Sequence, residues 1–185
     1  MAIYFEKAGK ENTEKTLEVV YQTFKERGIR DIVVASTTGY TGMMAAERFQ
    51  GEEVNLVIVT HNYGFKKEGE IEIEEHTKRK IEELGGKVFT GTMVLRNLGT
   101  AVKNILGFSL QDLVANTLRL FGQGMKVCVE IVCMATDAGL ITEKEVIAVA
   151  GTGRGADTAV IVIPASSNNF FNVKIKEIIA KPKEW

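Results

Sequence analysis

The chain has 185 residues, 45% of them hydrophobic, which is enough for one domain with a sizeable core over residues 1–185. A (β/α)₈ barrel takes about 250 residues, so none fits beside another domain. With 23 Lys plus Arg against 24 Asp plus Glu, and a formal net charge of -1, the balance gives no call for nucleic acid or an anionic membrane as partner.

The stretch MAIYFEKAGKENTEK has no apolar centre of the kind a signal peptide carries. No apolar run reaches the roughly 20 residues of a membrane span, so a cytoplasmic protein is expected. The first predicted helix covers Thr13 to Arg27, where Leu17, Val20, Tyr21 and Phe24 repeat at i, i+3, i+4 and i+7. Asn12 or Thr13 can cap it, and Gly28 stops it. IRDIVVAS (Ile29 to Ser36) reads as a strand buried on both faces, and Gly42 to Phe49 as a helix. VNLVIVT (Val54 to Thr60) is a second buried strand. A helix carrying Ile73, Thr77, Ile81 and Leu84 follows, ended by Gly85 and Gly86, and Lys87 to Thr90 is a short third strand.

Residues 91–107 are polar and interrupted by glycine, and read as an insertion over one face, either a lid or a contact between copies. A homo-oligomer is therefore left open. Ser109 and Asp112 have capping-box spacing, with Phe108 and Leu113 as a hydrophobic staple, and open a helix reaching about Phe121. Gly122 and Gly124 are read as breaking it before a helix from Met125 to Ala138. Cys128 and Cys133 lie on that helix, about 140° apart at 3.6 residues per turn, as two buried thiols and no metal site. Glu130, between Val129 and Ile131, calls for a partner such as Arg119 or Lys126. EVIAVAG (Glu145 to Gly151) is the fourth strand and DTAVIVIP (Asp157 to Pro164) the fifth. The five residues between them are too few for a parallel crossover, so the fifth strand is antiparallel and sits at the edge. The expected fold is α/β, a mostly parallel sheet between helical layers.

Two loops combine glycines, which let a backbone approach closely, with hydroxyl donors. The first is Ser36, Thr37, Thr38, Gly39, Tyr40, Thr41 and Gly42, leading from a strand into a helix N-terminus with free N–H groups. The second is Gly151, Thr152, Gly153, Arg154, Gly155, Ala156 and Asp157, where Arg154 can grip an anion through two parallel bonds. This is what a phosphate group needs. Neither loop has the GxxxxGK[ST] or GxGxxG pattern in its proper context. If the parent strands are neighbours, the loops face one crevice beyond their carboxyl ends. The start of the first helix, with Asn12, and the loop His61-Asn62-Tyr63-Gly64-Phe65 would share that rim. His61 could bond a ligand there, and Phe65 or Tyr63 could pack on a flat ring. Asp157 could accept from sugar hydroxyls or tie down its own turn.

VVASTTGYTG and KVCVEIVCMATDAGLITEKEVIAVAGTGRGADTAVIVIP resemble the two halves of a pyruvate kinase C-terminal domain, in which such loops hold a phosphorylated sugar effector. FEKAGKENTEKTLE, VTHNYGF, GMKVCVEIVCMATDAGLI and GTGRGADTA together are similar to a family of free-standing archaeal-type pyruvate kinase C-terminal-domain-like proteins. That resemblance implies a three-layer α/β/α fold with five strands in the order third, second, first, fourth, fifth. It also implies bound flavin mononucleotide (FMN), its phosphate on Ser36, Thr37, Thr38, Gly39, Thr41 and Gly42. The Gly151–Asp157 loop would cover the rest of the nucleotide. Pyruvate kinase activity is not expected, because the catalytic barrel has no place in the chain. The alternatives are a regulatory module sensing a sugar phosphate or another nucleotide, and a structural subunit with a vestigial crevice.

Overall fold

The computed structural model describes residues 2–142 and 144–185. In chain order the elements are β1 (Ile3–Lys7), α1 (Thr13–Arg27), β2 (Asp31–Ala35), α2 (Tyr40–Phe49), β3 (Asn55–Val59), α3 (Glu75–Glu83) and β4 (Lys87–Phe89). There follow α4 (Asn97–Leu106), α5 (Leu110–Arg119), α6 (Gln123–Asp137), β5 (Val146–Ala150), β6 (Thr158–Ile163) and β7 (Lys174–Glu184). Short 3₁₀ turns at Lys10–Asn12 and Ser167–Asn172 lead into α1 and β7.

All seven strands form one sheet in the order β1-β7-β6-β5-β2-β3-β4. Its β4-β3-β2-β5-β6 portion has the order that the resemblance implied, with β6 antiparallel to β5. The sheet has seven strands rather than five. β7 pairs antiparallel with β6 and β1 pairs parallel with β7, so β6 is an interior strand and not the edge.

The continuous apolar runs in β2, β3 and β5 are explained by burial on both faces. Ile32, Val34, Leu56, Ile58, Ile147 and Val149 enter a core with Leu17, Val20 and Phe24 of α1, Ala45 and Phe49 of α2, and Ile81 of α3. The alternating residues Val33, Val57, Val59, Val146 and Ala148 enter a second core with Met125, Cys128, Ile131 and Val132 of α6. Helices therefore cover both sheet faces. Among the described residues, no helix is long and apolar enough to cross a membrane.

The helix boundaries follow local chemistry, with some departures from the expectations. Gly28 ends α1 at φ 66°, its N–H bonded to Phe24 O. Asn12 precedes α1 but does not cap it, because its side chain donates instead to Lys7 O at 2.8 Å. Ser109 Oγ caps α5, accepting from Asp112 N–H at 3.1 Å, whereas Phe108 and Leu113 are both left exposed rather than stapled inward. The insertion at 91–107 contains a helix, α4. Gly124 lies inside α6 and does not break it. A Cβ there would come within 2.1 Å of Thr158 Oγ1, so this glycine lets α6 approach β6.

Candidate functional site

β2 pairs in parallel with β5, from Asp31 opposite Val146 to Val34 opposite Val149, and with β3 on its other side. The loops after β2, β3 and β5 therefore leave from the same end of the sheet. The start of α1 reaches that end too, because α1 runs back along the strand it precedes.

The loop after β5 is fastened to the α1 start. Ala156 N–H donates to Thr13 Oγ1 at 3.0 Å, and Thr16 Oγ1 donates to Ala156 O at 3.3 Å. Asp157 is fully buried. Its Oδ2 accepts from Gly9 N–H at 3.2 Å and Thr152 N–H at 3.0 Å, and its Oδ1 accepts from the Thr158 hydroxyl at 2.7 Å. Both carboxylate oxygens thus serve the turn itself. Gly155 has φ 71°, and a Cβ on it would lie 2.7 Å from Lys10 Cα, so close approach of the chain to itself requires glycine here. The ammonium of the same Lys10 sits 3.8 Å from the Tyr40 ring centroid, so one residue touches both loops.

In the loop after β2, Ser36 is buried. Its N–H donates to Val59 O at 2.9 Å, and its Oγ accepts from Gly42 N–H at 2.9 Å. Thr41 is buried, and Gly39 precedes α2 with φ 93°. Thr38 is exposed, as are Gly153 and Arg154 across the rim. The candidate residues divide accordingly. Ser36, Gly42, Gly155 and Asp157 shape the loops, while Thr38, Gly153 and Arg154 present groups to solvent. Asn12 faces its own chain.

Thr37 opens a chain of polar contacts. Its Oγ1 lies 3.3 Å from His61 Nε2, and His61 Nδ1 lies 2.7 Å from Glu72 Oε2. Lys66 Nζ pairs with the other Glu72 oxygen at 2.6 Å. Burial opposes ionisation of Glu72, but hydrogen bonds from Lys66 and His61 outweigh it and hold the carboxyl below its ordinary range. Either ring nitrogen of His61 donates or accepts in these contacts according to its tautomer. The His61 ring also lies 3.8 Å from the Phe65 ring centroid, and the Arg96 guanidinium sits 4.3 Å from the same Phe65 centroid. Tyr63 is exposed and donates to Gly69 O at 2.5 Å.

Glu72, Lys66 and Arg96 were invisible to motif reading. Glu72 is one acid in the run KKEGEIEIEE, and nothing in its neighbours marks it as the partner of a histidine eleven residues earlier. Two polar atoms stand out in the rim loops: Thr152 Oγ1 and Asn62 Oδ1 are sealed from solvent and have no hydrogen-bond partner among the described residues. Among the described residues, no group of three or more His, Cys, Asp or Glu side chains could hold a metal. The family model of the pyruvate kinase alpha/beta domain matches residues 14–162, which include the loops after β2, β3 and β5, and the chain belongs to that family.

Proposed function

We propose that the chain binds a small phosphorylated ligand at this rim, with flavin mononucleotide the first candidate. The observation that carries the reading is the parallel pairing of β2 with both β3 and β5, which brings the loops holding Thr38, His61 and Arg154 to one end of the sheet. Thr38 and Arg154 are exposed there, a hydroxyl and a guanidinium that can both donate to phosphate oxygens. The start of α2 offers the positive end of a helix dipole, and exposed Arg154 supplies a cation. His61, held by Thr37 and Glu72, adds a polar ring beside the same loop, which supports the reading.

The test is mass spectrometry of small molecules released on denaturing the purified protein, followed by titration with flavin mononucleotide. The expected result is a yellow protein that releases the nucleotide. Arg154→Ala should weaken binding by roughly 10- to 100-fold, the value of one charge-assisted contact. Protein that neither releases nor takes up any phosphorylated compound would overturn the reading.

One observation favours a second reading, a sensor of sugar phosphates without catalysis. Phe65 already packs on His61 and Arg96, so its ring is less free to stack on a flavin. Thermal shifts separate the two. A ligand at about 100 times its dissociation constant adds about 2.7 kcal/mol. A rise with a sugar phosphate and none with flavin mononucleotide would select the sensor.

A further inference from the structure

The helices α4 and α5 are amphipathic with the wrong side out. The one buried residue of α4 is Gly99, and the one buried residue of α5 is Ala115. Their large apolar side chains point away from the protein. Leu98, Ile105, Phe108, Leu110, Leu113 and Leu120 are 64–84% exposed. The three charged residues between positions 97 and 121 are Lys103, Asp112 and Arg119. All three line a small cleft on the opposite side, shared with Lys126 of α6. Lys103 pairs with Asp112 at 2.7 Å, and Arg119 is bonded to Gln123 and Asn116. The charged residues thus gather on the cleft side, while six large apolar side chains face water. A chain that stayed alone would have the opposite arrangement.

We propose that this hairpin is a homodimer interface, in which α4 and α5 pack on the same two helices of a second copy about a two-fold axis. Three observations select a second copy as the occupant. The first is area. Six Leu, Ile and Phe side chains at these exposures leave on the order of 800 Å² to cover, the share one partner brings to a standard interface. That is above the roughly 300–600 Å² patch of an ordinary monomer. The second is spacing. Leu110, Leu113 and Leu120 follow the three- and seven-residue rhythm of a helix–helix seam, and Leu98 and Ile105 are seven apart. Such stripes fit other helices, and two antiparallel hairpins close into a four-helix arrangement. The third is charge. Lys103, Asp112 and Arg119 line the cleft, and Lys103 is paired with Asp112, so the apolar stripe sets no unpaired like charges of this pair against a second copy or toward an anionic membrane.

The test is sedimentation equilibrium of the full chain across a concentration series, with Ile105→Glu/Leu113→Glu beside it. Both positions are exposed, so the variant keeps the fold, which circular dichroism and an unchanged thermal transition at low concentration would verify. The wild type should sediment at twice the chain mass, and the variant at the chain mass. A wild type that is monomeric at tens of micromolar would overturn the proposal, and so would a variant that remains dimeric. Monomeric wild type that co-sediments with phosphatidylserine vesicles would assign the face to a membrane surface and also overturn it. None of these outcomes depends on whether the rim binds a phosphorylated ligand.

Discussion

Lys126 and Glu130 are 4% and 1% exposed and form an ion pair one turn apart on α6. The second Glu130 oxygen accepts from Leu95 N–H at 2.8 Å, which fastens the segment before α4 to α6. Burial pushes the Lys126 ammonium below its ordinary pKa, and the Glu130 charge pulls it back in part. The sequence indicated this pair, since an acid amid Val129, Ile131 and Val132 must find a cation. It did not distinguish Lys126 from Arg119, because the choice depends on how α5 lies against α6. Removing one partner from such a pair leaves a bare buried charge. Lys126→Met should therefore cost roughly 3–5 kcal/mol in urea unfolding. Lys126→Met/Glu130→Gln keeps an acceptor for Leu95 and removes the charge, so it should recover most of that loss. Equal loss in both variants would show that packing, not the stranded carboxylate, sets the cost. The two cysteines on the same helix are buried free thiols, as their apolar setting suggested, and burial pushes Cys133 up to about 12.

At the scale of elements, the sequence is legible where the local pattern and the tertiary environment agree. The 3.6-residue rhythm of α1 ends in Gly28, and the apolar runs of β2, β3 and β5 are short and buried on both faces. It is illegible where an element owes its existence to a neighbour. β7 reads KIKEIIAKPKE, half charged and with Pro182 inside, and β1 is five residues with little burial. β7 is a strand because β6 pairs with it and β1 because β7 does, and no periodicity announces that. α4 is obscured by Gly99 and by apolar residues with no core to face. In the glycine loops several groups are engaged by the chain itself, among them Ser36 Oγ, Asp157 and Ala156 N–H. Gly155 and Gly28 differ in this respect. Both have positive φ, but a Cβ on Gly28 meets nothing within 4 Å, whereas one on Gly155 would meet Thr13 Oγ1 at 2.4 Å and Lys10 Cα at 2.7 Å. Gly28→Ala should cost only the roughly 1–2 kcal/mol of the left-handed backbone. Gly155→Ala should cost more, because the Lys10 backbone must move and the bonds from Ala156 and Asp157 to the α1 start loosen with it. A thermal melt of the two variants compares them directly, and equal shifts would show that the α1 start yields without penalty.

The molecule as a whole is braced by a carboxylate at each end of its sheet. Asp31 opens β2 at the rim opposite the candidate site. It accepts from the Thr142 hydroxyl at 2.5 Å, from Thr142 N–H at 3.1 Å and from the Asn55 amide at 2.6 Å. Those bonds join β2, β3 and the turn before β5. Burial raises the Asp31 pKa, but the bonds from Thr142 and Asn55 outweigh it and the net shift is downward. Glu72, at the other rim, is lowered in the same way through Lys66 and His61. A carboxyl with a folded pKa below its unfolded one adds stability that is fully present above the unfolded value, and that is lost as pH falls through the folded value. The loss sets in as the pH falls past the unfolded values, 3.8 for Asp31 and 4.5 for Glu72, so the acid limb of the stability curve should carry both. Asp31→Asn should lower stability near pH 7 by roughly 1–3 kcal/mol, since one amide oxygen cannot replace two carboxylate oxygens. The same variant should lose less further stability than the wild type between about pH 5 and pH 2. Glu72→Gln should flatten the same limb. The two effects should add, because five-residue strands hold the sites roughly 17 Å apart with no shared partner. Urea unfolding at stepped pH reads the wild type, the two single variants and the double variant Asp31→Asn/Glu72→Gln. If Asp31→Asn and the wild type lose stability in parallel as the pH falls, Asp31 does not titrate in that window and the brace at its rim is not electrostatic.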